Sequence, residues 1–179
     1  MIVEVTDFPK AKNSKMDTFI TYYQSPIGLI KIAGMAQYIS EINFIDEESQ
    51  LIPESKNLPP LAINCIEQLI EYFQGVRRNF EFPINQPGSA FQQKVWYELL
   101  NIQFGKTISY LELSRRLGDI KAIRAAAAAN GRNQLAIIVP CHRVIGSKND
   151  LVGYAGGLWR KKWLLELEMR VAHGVQMLF

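Results

Sequence analysis

Pro140-Cys141-His142-Arg143-Val144 is the stretch of this 179-residue chain best suited to covalent chemistry. A thiolate is a strong nucleophile, but an unperturbed thiol has a pKa of about 8.5 and needs a neighbouring cation or base to react at neutral pH. Arg143 and His142 bring one of each. In an extended segment adjacent side chains point apart, so His142 would reach the thiol more easily through a bridging water than directly. A carboxylate would hold such an imidazole in one tautomer. Glu168 is the candidate, with Glu166 as its nearest rival. A purely structural cysteine fits the same residues, and so does a cysteine hydrolase using Cys141, His142 and Glu168.

The segment KAIRAAAAANG carries five alanines at 125–129, with Arg124 as the long side chain in its middle. Alanine is the best helix former and makes the slimmest helix. A helix reading the major groove would instead display Arg, Asn, Gln or Ser. A slim one could approach a groove of about 6 Å closely, with Arg124 entering the base stack. The competing reading is a buried helix whose alanines permit close packing.

These segments need elements to position them. SYLE can cap a helix at Ser109, with Glu112 completing a capping box, and Gly118 ends that helix. Helix, glycine turn and alanine helix together make a helix-turn-helix pattern. QLAIIVP reads as a buried strand-like run leading into Cys141, SKNDLVGYAGG as a loop, and LWRKKWLLELEMR as the last helix. Upstream, SAFQQKVWYELLNI is an amphipathic helix, and NFEFPINQPGS before it marks a boundary. TFITYYQ, the turn SPIG, and LIKIAG form a hairpin, and QYISEINFI adds a third strand. In PLAINCIEQLIEYFQG, Leu61, Ile63, Ile66, Leu69, Ile70 and Phe73 fall on one stripe, and Cys65 inside it reads as a small buried hydrophobe. Residues 1–16 look like a loose or edge segment. The fold expected is α+β: an αβ domain over 1–86 and a mostly helical domain over 87–179.

Composition narrows the partners. The chain is 48% hydrophobic and 21% charged, which argues against disorder. No uncharged apolar run approaches the ~18–20 residues a bilayer span needs. The opening MIVEVTDFPKAK lacks the apolar core of a secretory signal. With only Cys65 and Cys141, a reduced intracellular setting is expected, with the protein in the cytoplasm. Residues 1–85 carry 7 Lys+Arg against 11 Asp+Glu, whereas residues 86–179 carry 13 against 6. A basic C-terminal half suggests a polyanionic partner there.

PCHRV resembles the active-site signature of the O6-alkylguanine-DNA alkyltransferases, the methylated-DNA–protein-cysteine methyltransferases. SAFQQKVWYELLNIQFGKTISY, IRAAAAANGRN and GYAGGLWRKKWLLELE resemble that family's helical domain in order, over residues 90 to 168. YYQSPIGLIKIAG is a looser match to its small αβ domain. The resemblance implies a ribonuclease-H-like first domain and a winged-helix-like second one. It implies irreversible, single-turnover repair of duplex DNA bearing O6-alkylguanine, and O4-alkylthymine as well, by base flipping from the minor-groove side. Cys141 would accept the alkyl group, with His142 the water-linked base, Glu168 its orienting partner and Asn133 the hinge. Tyr110 would lie near the target nucleotide and protonate the leaving guanine. Val144 and the backbone of Tyr154, Ala155, Gly156 and Gly157 would form the guanine pocket, with the Tyr154 ring as the wall on the alkyl side. Arg124 would fill the space of the extruded base, with Ile123, Ala125, Ala127, Ala128, Arg132 and Tyr110 also against DNA.

Two departures from the family pattern stand out. Ala155 replaces a serine found near the guanine O6 in some members, and Gln134 replaces the proline often found after the hinge asparagine. His142 and His173 are the only histidines, so no structural zinc and no cofactor are expected. A monomer is expected, with cooperativity on DNA left open. A non-catalytic lesion recogniser or helix-turn-helix regulator is the other class of function, disfavoured because Cys141 is present.

Overall fold

The computed structural model describes residues 18–46 and 52–174. The loose segment expected over residues 1–16 lies outside them. The chain divides into two compact units, residues 1–86 and 87–179. Among the described residues no helix is long and apolar enough to cross a membrane.

In the first unit, alternating apolar residues build an antiparallel meander of β1 (Thr18–Ser25), β2 (Gly28–Met35) and β3 (Tyr38–Ile45). Phe19, Ile30, Ile32, Ile39 and Ile42 are buried. Helix α1 (Pro60–Phe73) starts with proline at its first position, where a missing N–H costs nothing. It packs on all three strands. Its buried face is rotated from the expected stripe: Ala62, Cys65, Leu69 and Tyr72 are fully buried, while Ile63 is 48% exposed. Small Ala62 and Cys65 lie on the buried face, and Tyr72 and Phe73 meet edge to face, with Phe80 next to Tyr72. Burial pushes the Cys65 thiol far above its ordinary pKa, in keeping with a packing residue.

The second unit contains α2 (Ala90–Leu100), β4 (Ile108–Ser109), α3 (Tyr110–Arg116), α4 (Ile123–Gly131), β5 (Val144–Ile145) and α5 (Leu158–His173). Its full capping box is on α2, where Ser89 Oγ accepts from Gln92 N and Gln92 Oε1 accepts from Ser89 N. At α3 the expected box is half made. Ser109 Oγ accepts from Glu112 N, but the Glu112 carboxylate turns to Arg116. Gly118 and a single 3-10 turn (Ile120–Ala122) join α3 to α4 as a helix-turn-helix. Strands β4 and β5 pair in parallel, Ile108 with Val144 and Ser109 with Ile145. That pairing sets the first residue of α3, Tyr110, beside the chain just after Cys141.

From Leu135 on, QLAIIVP is buried as expected, with Gln134 exposed, but the run forms no strand; it is a series of turns. Its backbone bonds close on themselves, Ile138 N to Ala136 O, Val139 N to Leu135 O and Cys141 N to Val139 O. Ile137 takes a φ of 73°, a conformation costing a branched residue about 1–3 kcal/mol. Cys141–Arg143 is likewise a 3-10 turn rather than an extended segment.

The α2 capping box gives a direct test. Ser89→Ala is expected to lower unfolding stability by about 1 kcal/mol, read as a lower urea midpoint at unchanged m-value. An unchanged midpoint would show that the box contributes nothing.

Candidate active site

Cys141 ends the turn series and is 5% exposed. Asn133, 6% exposed, explains how that irregular segment is held. Its Nδ2 donates to Val139 O at 2.8 Å and stands 3.1 Å from Cys141 Sγ, while its Oδ1 accepts from Leu135 N at 3.1 Å. One side chain thus replaces the ladder a strand would have supplied. Burial pushes the Cys141 thiol up, and the Asn133 bond and the Lys161 charge pull it back. The net direction is upward, so the resting sulfur carries its proton at neutral pH and needs a base.

The base is built around a buried carboxylate. Glu168, on α5, is fully buried and accepts at both oxygens. Arg143 Nε and Nη2 grip it as a fork, each at 2.9 Å, and Gly105 N donates at 3.1 Å. His142 Nε2 lies 2.8 Å from Oε1. Burial pushes the Glu168 carboxyl up, but His142 and Arg143 outweigh it and hold the group well below the usual carboxylate range. An ionised carboxylate only accepts, so Nε2 must carry the hydrogen and Nδ1 the lone pair. Burial pushes the imidazole down against the pull of Glu168, which keeps it neutral. Nδ1 is buried without a partner. It is therefore a free base in the turn that also holds the thiol. Glu166 pairs with Lys162 at 3.9 Å and takes no part.

Gly105 makes this possible through its backbone. It adopts φ of 71°, and a Cβ there would stand 2.5 Å from the Ala172 side chain. Only glycine lets that N–H reach Glu168.

Tyr110 is half-buried, and its hydroxyl meets Asn130 Nδ2 at 3.2 Å. Burial and the Cys141 sulfur raise its pKa, while the Asn130 bond lowers it. Lys161 is completely buried. Its Nζ donates to Val144 O and Val152 O at 2.7 Å and to Gly153 O at 3.3 Å. It ties the loop of residues 151–157 to Val144. Burial pulls its pKa to about 8, and Cys141 acts in the opposite sense. The cation acting on the thiol is thus Lys161, while Arg143 is committed to Glu168 and Ile102 O. In the loop, Val152, Gly153 and Ala155 are exposed, and the Tyr154 hydroxyl is buried with no partner. Gly156 O accepts from Arg160, and Gly157 precedes α5 at a φ of 87°.

Helix α4 presents two faces. Ala126 and Ala129 are buried, and Ala129 O accepts from Trp96 Nε1 at 3.0 Å. Ile123, Arg124, Ala125, Ala128 and, just beyond the helix, Arg132 are exposed, and Ala127 is half-buried. The close-packing reading of the alanines holds for Ala126 and Ala129, and the opposite face is open to solvent. Among the described residues no three His, Cys, Asp or Glu gather as a metal site requires.

Sequence reasoning did not single out Gly105, Asn130 and Lys161. Lys161 had a signal, an odd cation in the apolar spacing of LWRKKWLLELE. The other two become visible only through contacts remote in sequence.

Removing the carboxylate should be costly. Glu168→Gln leaves Arg143 buried and unpaired, and is expected to lose about 3–5 kcal/mol in denaturant unfolding. Because the folded carboxyl titrates below its unfolded value of about 4.3, its contribution is full above that value and fades as pH falls further. The wild-type should therefore lose more stability than the variant on acidification. Parallel acid profiles would contradict the assigned charge.

Comparison with known proteins agrees with this geometry. Residues 90–170 match the family described as 6-O-methylguanine DNA methyltransferase, DNA binding domain, and residues 18–86 match its ribonuclease-like domain. The methylated-DNA–protein-cysteine methyltransferase of Mycolicibacterium paratuberculosis is 42% identical over 147 residues, covering 82% of this chain and 89% of that protein. The constitutive enzyme of that name from Bacillus subtilis is 40% identical over 157 residues, covering 84% and 94%. The crystal structure of Mycobacterium tuberculosis O6-methylguanine methyltransferase superposes with a TM-score of 0.78 at 36% identity, covering 89% of this chain and 97% of that one. The structure of Mycobacterium tuberculosis OGT in complex with DNA gives a TM-score of 0.76 at 40% identity, covering 84% and 92%. With both halves matched, and with His142 bonded to Glu168 next in sequence to Cys141, the chain belongs to the 6-O-methylguanine DNA methyltransferase family.

Proposed function

We propose that this chain repairs alkylated DNA by moving the alkyl group from O6-alkylguanine to Cys141, once per molecule. It is a methylated-DNA–protein-cysteine methyltransferase. The observation that carries the residue assignment is the buried, unpartnered Nδ1 of His142 in the same turn as the buried Cys141.

A methyl on O6 is hidden in the base stack, so the nucleotide must swing out at a cost of a few kcal/mol. The exposed alanine face of α4 suits a narrow groove, and Arg124 would fill the gap left in the stack. The base would enter beside Val144 and the loop of Tyr154, Ala155, Gly156 and Gly157. A water joins Cys141 Sγ to His142 Nδ1, which takes the thiol proton as Glu168 holds the resulting imidazolium. The thiolate attacks the alkyl carbon in line. The carbon–O6 bond breaks and its electron pair stays on guanine, which Tyr110 neutralises by donating its phenolic proton. Burial and the Cys141 sulfur keep Tyr110 protonated until the base arrives. Ala155 offers no hydroxyl to O6, so backbone N–H groups of the loop serve there. Asn133 braces the sulfur throughout. O4-alkylthymine offers the same alkyl–oxygen bond and is a second substrate.

The product is a thioether, a poor leaving group, and the other cysteine, Cys65, is buried in α1 of the first unit. Turnover therefore stops. A hydrolase built on the same residues would turn over repeatedly.

Incubation with O6-methylguanine duplex should add one methyl to the Cys141 peptide by mass spectrometry, and Cys141→Ala should bind the duplex without gaining mass. Methyl transfer by Cys141→Ala would refute the assignment. Binding should also weaken linearly with salt on a log–log plot and vary little with flanking sequence, since α4 exposes few base-reading groups. Strong preference for one operator-like sequence would favour a regulator instead.

A further inference from the structure

Asn130 lies on the inner face of α4 and is 3% exposed. Its Nδ2 stands 3.2 Å from the Tyr110 hydroxyl and 3.4 Å from the Cys141 carbonyl oxygen, while its Oδ1 is buried without a partner. Chemistry dictates the orientation of this amide. A main-chain carbonyl only accepts, so the atom facing Cys141 must be the nitrogen. An amide NH2 has two hydrogens and nothing to accept with. The phenol oxygen must therefore accept from Asn130, and the phenolic hydrogen must point elsewhere. A Cβ built on Gly153 would stand 3.9 Å from that hydroxyl, so the glycine of the pocket loop lies beside it.

We propose that Asn130 is a positioning residue for proton donation: it turns the Tyr110 hydrogen away from α4 and toward the extruded base. This rests on the reading of Tyr110 as the proton donor. When the proton passes from Tyr110 to the purine, the phenol oxygen becomes an anion. The Asn130 bond then becomes charge-assisted and roughly twice as strong. Its strength grows as the reaction proceeds, so it speeds transfer without tightening DNA binding. The direction in which the Asn130 bond moves the Tyr110 pKa, downward, agrees with easier release. The second hydrogen, on Cys141 O, ties the donor's support to the backbone of the acceptor residue.

A double-mutant cycle tests this with single-turnover transfer from O6-methylguanine duplex, alongside DNA affinity. Asn130→Leu is expected to slow transfer by roughly ten- to a hundredfold with affinity unchanged. Tyr110→Phe should be slow as well, and the double variant no slower than Tyr110→Phe alone. A double variant slowed by the product of the two effects would overturn the proposal, because Asn130 would then act by holding Cys141. Asn130→Leu at the wild-type rate beside a slow Tyr110→Phe also overturns it and leaves Tyr110 as donor. Tyr110→Phe at full rate removes the donor reading, and this proposal with it. Asn130→Asp keeps the shape and trades the donor for an acceptor, and serves the same cycle where Asn130→Leu does not fold.

Discussion

Everything at the site depends on one buried carboxylate. Glu168 is out of water, and an ionised group there survives only with partners. The Arg143 fork, the Gly105 N–H and the His142 ring provide them. Gly105 comes from the turn before β4, and His142 and Arg143 come from the turn bearing Cys141, so the carboxylate draws both segments to α5. The same charge decides the chemistry. It forces the imidazole hydrogen onto Nε2 and leaves a lone pair on Nδ1, so that the folding constraint and the catalytic base are one arrangement.

The surroundings of Cys141 keep the sulfur quiet until a base takes its proton. Burial favours the thiol over the thiolate, while Asn133 and Lys161 offset part of that cost. The segment holding it is irregular and strained at Ile137, and a single asparagine side chain substitutes for the missing strand partner. Helix α4 links this interior to the outside. Its slim alanines let one face close against α2 while the other stays bare, and Asn130 at its end reaches Tyr110 and Cys141.

Much of this was legible in the sequence, for identifiable reasons. Strand alternation, the SPIG turn and the helix-turn-helix are local patterns, and local physics forms them. The residues alone left Glu166 as a rival to Glu168, the family resemblance chose Glu168, and the structure pairs it with His142. Other readings failed where tertiary context decides. QLAIIVP is apolar enough for a strand, yet Asn133 captures its backbone groups first. Ser109 and Glu112 have capping-box spacing, but Arg116 competes for the glutamate. In α1 only Leu69 and Phe73 of the expected stripe are buried, and Ala62, Cys65 and Tyr72 complete the buried face. Gly105 and Asn130 act through groups distant in sequence, which no spacing reveals.

The protonation state of His142 tests the central claim most directly. With imidazole nitrogens labelled with nitrogen-15, NMR at neutral pH distinguishes a nitrogen bearing hydrogen from one bearing a lone pair. The account requires hydrogen on Nε2 and a bare Nδ1 in His142, in a neutral ring. A cationic ring, or a hydrogen resident on Nδ1, would contradict it, because no base would then stand ready for the thiol proton.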